Sequence, residues 1–232
     1  MIIASTTTTK ERLPLMKIFV DSMAEQTVKP DRHILWLGND IKNIPIPDFI
    51  KKSNIEVMYT EDIGPATKIV PTIALITDPD DMIITVDDDF GLDPRVIEKL
   101  VVGKKKYPDA AVGFRGRSFT EPTYNYGRSI LYDYYPEDIE VDIITSNYGQ
   151  AFYRRFFTDE VHDTSECPDA RHNDDVWISG HLAKQGIKRY HLNPEGMNFR
   201  DDRMGGIQKL WDVNKRSPYT NNIIGFYKPY WR

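Results

Sequence analysis

The chain has 232 residues, enough for one large domain or two small ones with a substantial hydrophobic core. It carries 30 Lys and Arg against 35 Asp and Glu, and the net charge of −5 argues against sequence-independent nucleic-acid binding. The single cysteine, Cys167, excludes an internal disulfide framework and a multi-cysteine zinc site. No apolar run reaches membrane-spanning length and no signal-peptide pattern opens the chain, so we expect a soluble, cytoplasmic protein without a transmembrane segment.

The first 114 residues alternate between predicted strands and predicted helices. Strands are predicted at residues 1–5, 33–37, 55–59, 82–86 and 110–114. Helices are predicted at residues 10–26, 71–77 and 93–107, the last two opening on a proline near the first helical position. This order implies right-handed crossovers and a mostly parallel sheet, the pattern of an α/β fold.

The pattern changes at Arg115. Residues 115–150 are rich in Tyr, Gly, Asp and Pro, with only a weak alternating strand near residues 139–143. A cluster of tyrosines either stacks against sugar rings or packs a loop-rich subdomain, and both interpretations stay open. Its members are Tyr124, Tyr126, Tyr132, Tyr134 and Tyr135. A helix is predicted from Asp174 to Gly186, then a strand at 187–192 and a tail at 193–232.

Three consecutive carboxylates, Asp87, Asp88 and Asp89, follow the most apolar predicted strand. Adjacent carboxylates repel each other, and Mg²⁺ or Mn²⁺ would hold them together, since strand geometry points Asp87 and Asp89 to the same side. Asp88 then faces elsewhere and is free to bind a ligand hydroxyl. The alternative is a solvated turn that caps the next helix, but Asp93 and Pro94 already supply that cap. We favour a metal or ligand site at this sheet edge.

A second acidic pair, Asp174 and Asp175, lies at the predicted start of a late helix. Acidic residues stabilise a helix N-terminus by themselves, although one would suffice and Asn173 can act as the cap. The functional interpretation is a carboxylate general base held near the metal site.

These features together resemble the inverting, family-2-like glycosyltransferases with the GT-A fold. The resemblance covers residues 1–192 and is strongest to the small chlorella-virus glycosyltransferases that build glycans on the major capsid protein. It rests on the Thr-rich turn after the first strand, Asp40 ending the second strand, and residues 64–68 (Gly-Pro-Ala-Thr-Lys) before the Asp triplet. The late acidic pair completes it, and residues beyond Pro194 add nothing.

The resemblance implies a single GT-A (Rossmann-like) domain over residues 1–232, with a central sheet and a smaller mixed-strand region. Residues 1–114 would bind the nucleotide sugar, and residues 115–192 would supply the acceptor side and the base. The implied nucleotide-sugar contacts are Thr6, Thr7, Arg12, Asp40, Lys68, Asp87 and Asp88. Asp87 and Asp89 would bind the metal. Asp175 would be the base, with Asp174 standing where the family usually has Glu, and His191 is either a further metal ligand or a structural histidine.

The implied activity is metal-dependent, inverting transfer of a sugar from a nucleoside-diphosphate sugar to a glycan or glycoprotein acceptor. The resemblance implies UDP as the nucleotide. Mn²⁺ or Mg²⁺ would be the cofactor, and the location would be the host cytoplasm if the chain is viral. Arg117, Tyr124 and Tyr126 are the predicted acceptor-binding residues. A nucleotidyltransferase acting on a sugar phosphate and a non-catalytic glycan-binding module remain the alternatives.

Overall fold

The computed structural model describes residues 1–120, 124–198 and 218–231. Its strands are β1 (Ile2–Thr7), β2 (Arg32–Gly38), β3 (Ile55–Thr60), β4 (Met82–Thr85), β5 (Ala110–Gly113), β6 (Arg115–Ser118), β7 (Ile130–Asp133), β8 (Ile139–Glu140), β9 (Ile143–Ile144), β10 (Gln150–Tyr153) and β11 (Lys188–His191). Its α-helices are α1 (Lys17–Ala24), α2 (Asp48–Lys51), α3 (Val70–Leu75), α4 (Val96–Lys106), α5 (Asp174–Lys184) and α6 (Tyr219–Phe226). No helix among these residues is long and apolar enough to cross a membrane.

The central sheet has eight strands in the order β3-β2-β1-β4-β10-β5-β11-β8. Six of them run in one direction, while β10 and β8 run antiparallel to their neighbours. The predicted mostly parallel α/β sheet is therefore confirmed. Strands β6, β7 and β9 form a second, antiparallel sheet.

Strand β10 is inserted between β4 and β5, which the sequence pattern did not predict. It comes from the second predicted segment, 115–192, and pairs with both strands antiparallel. The two predicted segments consequently share one sheet, and chain from the second segment lies beside the strand that precedes the Asp triplet.

Apolar residues cover both faces of this sheet. On β4, Ile83 belongs to the cluster that contains Trp177 of α5, while Ile84 belongs to the cluster that contains Phe19 of α1. This division follows from the two-residue period of a strand, whose successive side chains point to opposite faces. All four β4 residues are buried, as expected for a central strand with helices on both faces.

The ends of several helices differ from the predicted ones. The region predicted as a helix from residue 10 opens with a 3-10 turn at Leu13–Leu15, and α1 begins only at Lys17. Asp93 accepts a hydrogen bond from the Arg95 backbone N–H at 2.9 Å, and α4 begins at Val96 rather than at the predicted Asp93–Pro94 start. The tail contributes α6, while residues 199–217 of that predicted segment lie outside the described residues.

Candidate active site

The Asp triplet continues the chain beyond β4, at the edge where the parallel strands β1, β2 and β4 end. The side chains of Asp87 and Asp89 are 27% and 24% exposed, whereas that of Asp88 is 3% exposed. The exposures alternate as a strand would predict, but the contacts do not: Asp87 pairs with Lys68, whereas Asp88 and Asp89 both pair with Arg12.

Asp88 is not free for a ligand, contrary to the expectation from the sequence. Its Oδ2 accepts a hydrogen bond from the Thr8 hydroxyl, and its Oδ1 accepts one from Arg12 Nη1 at 2.8 Å. Burial raises the pKa of Asp88 to about 6, against the opposing effects of Arg12 and Thr8. Arg12 also reaches Asp89, with Nη2 2.8 Å from Oδ2. Asp88 therefore positions Arg12, and Arg12 spans two members of the triplet.

Lys68 neutralises the other side of the triplet. Its buried Nζ lies 2.6 Å from Asp87 Oδ1, 2.7 Å from Ser146 Oγ and 2.9 Å from Asp174 Oδ2, the last contact without hydrogen-bond geometry. Burial disfavours the ammonium group, but the surrounding carboxylates, Asp174 foremost, raise the pKa of Lys68. Lys68 is therefore a permanent cation.

The turn that carries Lys68 depends on a glycine. Gly64 begins this 3-10 turn, Gly64–Lys68, with a φ of +79°, and a Cβ there would lie 2.2 Å from the Arg171 carbonyl oxygen. Only glycine adopts this backbone and permits so close an approach to the residues that precede α5. The turn thereby delivers Lys68 to Asp87 and to α5 at once.

The two acidic residues at the start of α5 have different surroundings. Asn173 caps the helix as predicted, since its Oδ1 accepts from the Val176 backbone N–H at 3.2 Å. Asp174 faces Lys68, whereas Asp175 Oδ1 accepts a hydrogen bond from the Ser146 backbone N–H at 2.9 Å. Burial and the neighbouring Asp174 raise the pKa of Asp175 to about 7, partly offset by Lys68. A pKa in this range suits a base near neutral pH.

Ser146, which the sequence reasoning missed, joins the two acidic groups. Its backbone N–H binds Asp175, while its hydroxyl donates to Asp87 Oδ1 at 2.9 Å and accepts from Lys68 Nζ. Ser146 lies just beyond β9, two residues after Ile144. Polar residues following two buried apolar ones were the available signal, but β9 has only two residues and was not predicted.

Two of the three predicted acceptor residues, Arg117 and Tyr126, contact each other. The Arg117 guanidinium stacks on the Tyr126 ring, 4.3 Å from its centroid, and Nη1 donates to Ser129 Oγ at 3.1 Å. Burial raises the pKa of Tyr126, and Asp175 is one of the charges acting on this phenol, together with Arg117 and Arg115. Tyr124 instead packs on Phe119 at 5.5 Å between ring centroids.

The remaining tyrosines of the cluster pack mainly among themselves and around His191. Tyr132 and Tyr135 have ring centroids 6.5 and 6.3 Å from that of His191, and Tyr134 is hydrogen-bonded to the Tyr148 hydroxyl at 2.9 Å. His191 is fully buried, with Nε2 3.0 Å from the Tyr135 carbonyl oxygen. This placement fits a structural histidine, while the exposed rings of Tyr134 and Tyr135 leave both interpretations of the cluster open.

The predicted nucleotide contacts on β1 and β2 are placed unequally. Thr6 is fully buried and donates to the Val86 carbonyl oxygen at 2.9 Å, so its side chain joins strands and does not face a ligand. Thr7 likewise donates to the Trp36 carbonyl oxygen at 2.9 Å but is only partly buried. Asp40 is exposed just after β2, at the same edge of the sheet as the triplet.

Asp87 and Asp89 are the predicted ligands of a divalent cation, and both already pair with a cationic side chain. In the described part of the chain, no group of three or more His, Cys, Asp or Glu side chains converges as a metal site. Among the described residues, the carboxyl groups of the triplet and of Asp174 and Asp175 lie near the cations Arg12 and Lys68. Mg²⁺ is commonly held by one or two carboxylates plus substrate phosphates and water, and two partly exposed carboxylates suit that pattern.

Comparisons with known proteins do not identify a function. No protein-family model and no curated protein sequence matches this chain. Among solved structures, the chain is similar to a nucleotidyl transferase from Methanothermobacter thermautotroptrophicus. The TM-score is 0.49 at 9% identity, over 83% of this chain and 86% of that one. So low a similarity carries no argument about fold or chemistry.

Proposed function

We propose that this protein is a GT-A-type inverting glycosyltransferase that uses a nucleoside-diphosphate sugar. The observation that carries the proposal is the link through Ser146, which holds Asp175 by its backbone and Asp87 by its hydroxyl. A direct displacement at a sugar carbon needs a proton acceptor on one side and stabilisation of a leaving diphosphate on the other. This link fixes a candidate for each task at adjacent positions.

Each group has a definite task in the proposed reaction. Asp175 accepts the proton of the acceptor hydroxyl, which matches its pKa of about 7. Asp87 and Asp89 would hold a divalent cation, which when bound stabilises negative charge on the diphosphate. Lys68 pairs with Asp87 and Asp174 and fixes their positions, and the stacked pair of Arg117 and Tyr126 forms the acceptor side. UDP as the nucleotide, and a glycan or glycoprotein, such as a viral capsid glycan, as the acceptor, follow from the family resemblance.

A nucleotidyltransferase is the second candidate, and two arginines favour it. Arg115 and Arg117 lie two residues apart on β6, so they share a face of that strand, and both act on the Tyr126 phenol. Guanidinium groups are suited to binding the phosphate of a sugar phosphate. However, a phosphate nucleophile is already ionised and needs no base, and Asp174 and Asp175 would repel it. The buried carboxylates therefore favour a hydroxyl nucleophile.

The products of a donor panel distinguish these functions. The protein would be incubated with Mn²⁺ and several nucleoside-diphosphate sugars, and separately with nucleoside triphosphates plus sugar phosphates. We expect slow release of a nucleoside diphosphate from one sugar donor, and loss of that release in Asp175→Asn. Release of pyrophosphate from a triphosphate would instead identify a nucleotidyltransferase. If neither product forms and no nucleotide raises the unfolding temperature, the remaining alternative is a glycan-binding module.

A further inference from the structure

Arg12 forms a fork between two carboxylates that differ in burial. Nη1 binds Asp88, whose side chain is almost completely buried, and Nη2 binds Asp89, whose side chain is partly exposed. Both distances are 2.8 Å, as in charge-assisted hydrogen bonds. The inner contact is thus enclosed by protein, whereas the outer contact is partly open to solvent.

The two contacts should respond differently to a ligand. Asp88 also binds the Thr8 hydroxyl, which fixes the inner end of the fork. The outer nitrogen can exchange one oxygen anion for another with little movement, because phosphate and carboxylate oxygens accept the same N–H geometry. While Arg12 neutralises Asp89, a free divalent cation gains less from binding there, since it must compete with a guanidinium already in contact.

We propose that Arg12 is a displaceable counter-ion that shields Asp89 from free metal ions. When the ligand binds, Arg12 Nη2 leaves Asp89 and donates its hydrogen bond to the ligand's diphosphate instead. Asp89 is released to the cation in the same event, so cation and nucleotide bind together. The transfer to diphosphate rests on the proposed function, whereas the shielding of Asp89 depends only on the ion pair. No covalent bond is broken in this exchange. The Arg12–Asp89 ion pair is replaced by an Arg12–diphosphate pair and an Asp89–cation pair.

The test measures Mn²⁺ binding without any turnover. Free Mn²⁺ would be followed by electron paramagnetic resonance during titration of the wild type and of Arg12→Met, with and without UDP. We expect Arg12→Met to bind Mn²⁺ alone on the order of 10-fold more tightly, because an ion pair of about 1.4 kcal/mol no longer competes. UDP affinity in saturating Mn²⁺ should fall about 10-fold in the same variant.

Arg32→Met is the matched control. Arg32 pairs with Glu56 at 2.7 Å where β2 and β3 begin, at the end of the sheet away from the Asp triplet. Its side chain is 29% exposed against 25% for Arg12. This variant removes the same charge and should leave both affinities within about 2-fold of wild type. A comparable gain in Mn²⁺ affinity in Arg32→Met would mean that net charge alone is responsible, and would overturn the proposal.

Arg12→Lys keeps the test decisive if Arg12→Met does not fold. An ammonium group keeps the charge at Asp88 but cannot span both carboxylates, so Mn²⁺ affinity should still rise. An unchanged Mn²⁺ affinity in the folded variant overturns the shielding of Asp89, and an unchanged UDP affinity overturns the transfer. If wild-type protein binds no UDP under any condition, the proposed function fails, while the Mn²⁺ comparison still decides whether Arg12 shields Asp89.

Discussion

Two cations neutralise the Asp triplet, and they differ in how they are built into the molecule. Arg12 lies close to the triplet's outer side, with its side chain 25% exposed, and binds the adjacent residues Asp88 and Asp89. Lys68 is 4% exposed and binds groups from three separate parts of the chain, namely Asp87, Ser146 and Asp174. Lys68 is therefore enclosed and joins three parts of the chain, whereas Arg12 is partly exposed and binds one pair of adjacent carboxylates. In such a site one counter-ion, Lys68, can hold the carboxylates in place, while the other, Arg12, can change partners when a ligand binds.

The largest expected effect tests the rigid region. Asp175→Asn keeps the shape of the side chain and can still accept from the Ser146 backbone N–H, but it cannot take up the acceptor's proton. We expect single-turnover transfer to fall by about 10²- to 10⁴-fold, the usual loss when a positioned base is removed. Nucleotide affinity should change little, because the donor is assigned to the triplet and Arg12.

Asp174→Asn is the matched control for this experiment. Asp174 neighbours Asp175 but faces Lys68, so its loss should lower stability more than it lowers transfer. Near-normal transfer by Asp175→Asn, with inactive Asp174→Asn, would assign the base to Asp174. Near-normal transfer by both variants would remove this helix start from the mechanism.

Lys68→Met should destabilise the fold more than any change in the Arg12 region. It leaves the buried Asp174 and the partly exposed Asp87 without their cation, and breaking a buried ion pair from one side typically costs about 3–5 kcal/mol. The free energy of unfolding from urea denaturation measures this loss. Lys68→Met combined with Asp174→Asn should recover part of it.

Lys104→Met is the control for burial of a lysine as such. Lys104 is fully buried, but its Nζ contacts the Pro108 carbonyl oxygen and the Tyr153 ring instead of a carboxylate. Because Nζ contacts no carboxylate, Lys104→Met leaves no opposite charge without its partner and should cost less stability than Lys68→Met. Burial also lowers the pKa of Lys104 to about 7. An equal loss in both variants would mean that the ion pairs around Lys68 add no stability.

The sequence predicted the parallel sheet and the acidic edge, because both depend on local patterns. Ile83 and Ile84 mark a buried strand, and three adjacent carboxylates after it require compensation. It did not predict the insertion of β10, since pairing of distant strands leaves no local signal. It missed Ser146 for the same reason, because the role of Ser146 arises only where the end of β9 meets α5 and Asp87. Asp88 was misjudged because alternation predicts which way a side chain points but not what it meets there.

A smaller effect is the loss of folding stability in acid that is due to His33. It must be measured separately before the Arg12 and Lys68 variants are compared at low pH. His33 is buried beside Phe19, and burial lowers its pKa to about 4. Because the folded-state pKa lies below the unfolded value of about 6.5, the stability from neutral His33 is complete above pH 6.5 and is lost as pH falls towards 4. The loss should not exceed about 3 kcal/mol.

Urea unfolding between pH 7 and 4.5 measures this term, with His33→Leu as the test variant. The His33 Nε2 has no hydrogen-bond partner in the described structure, so leucine leaves no new unpaired group from this atom. The variant should lose stability less steeply in acid, with a remaining slope from His181, whose pKa is also lowered to about 4 by burial. An unaltered slope would exclude His33 as a source of acid sensitivity.

The smallest expected effect is the stability of Arg12→Met, and it decides whether the two counter-ions really differ. Asp89 keeps its contact with solvent and Asp88 keeps the Thr8 hydroxyl, so neither carboxylate is left without a partner. We therefore expect a loss of about 1–2 kcal/mol in the free energy of unfolding, and less at high salt because the outer pair is screened. Lys68→Met should depend less on salt, since Lys68 and its partner Asp174 are enclosed and only Asp87 is partly exposed. If Arg12→Met costs as much as Lys68→Met and is equally insensitive to salt, Arg12 is a fixed part of the fold, and the assignment of exchange to this side of the triplet is wrong.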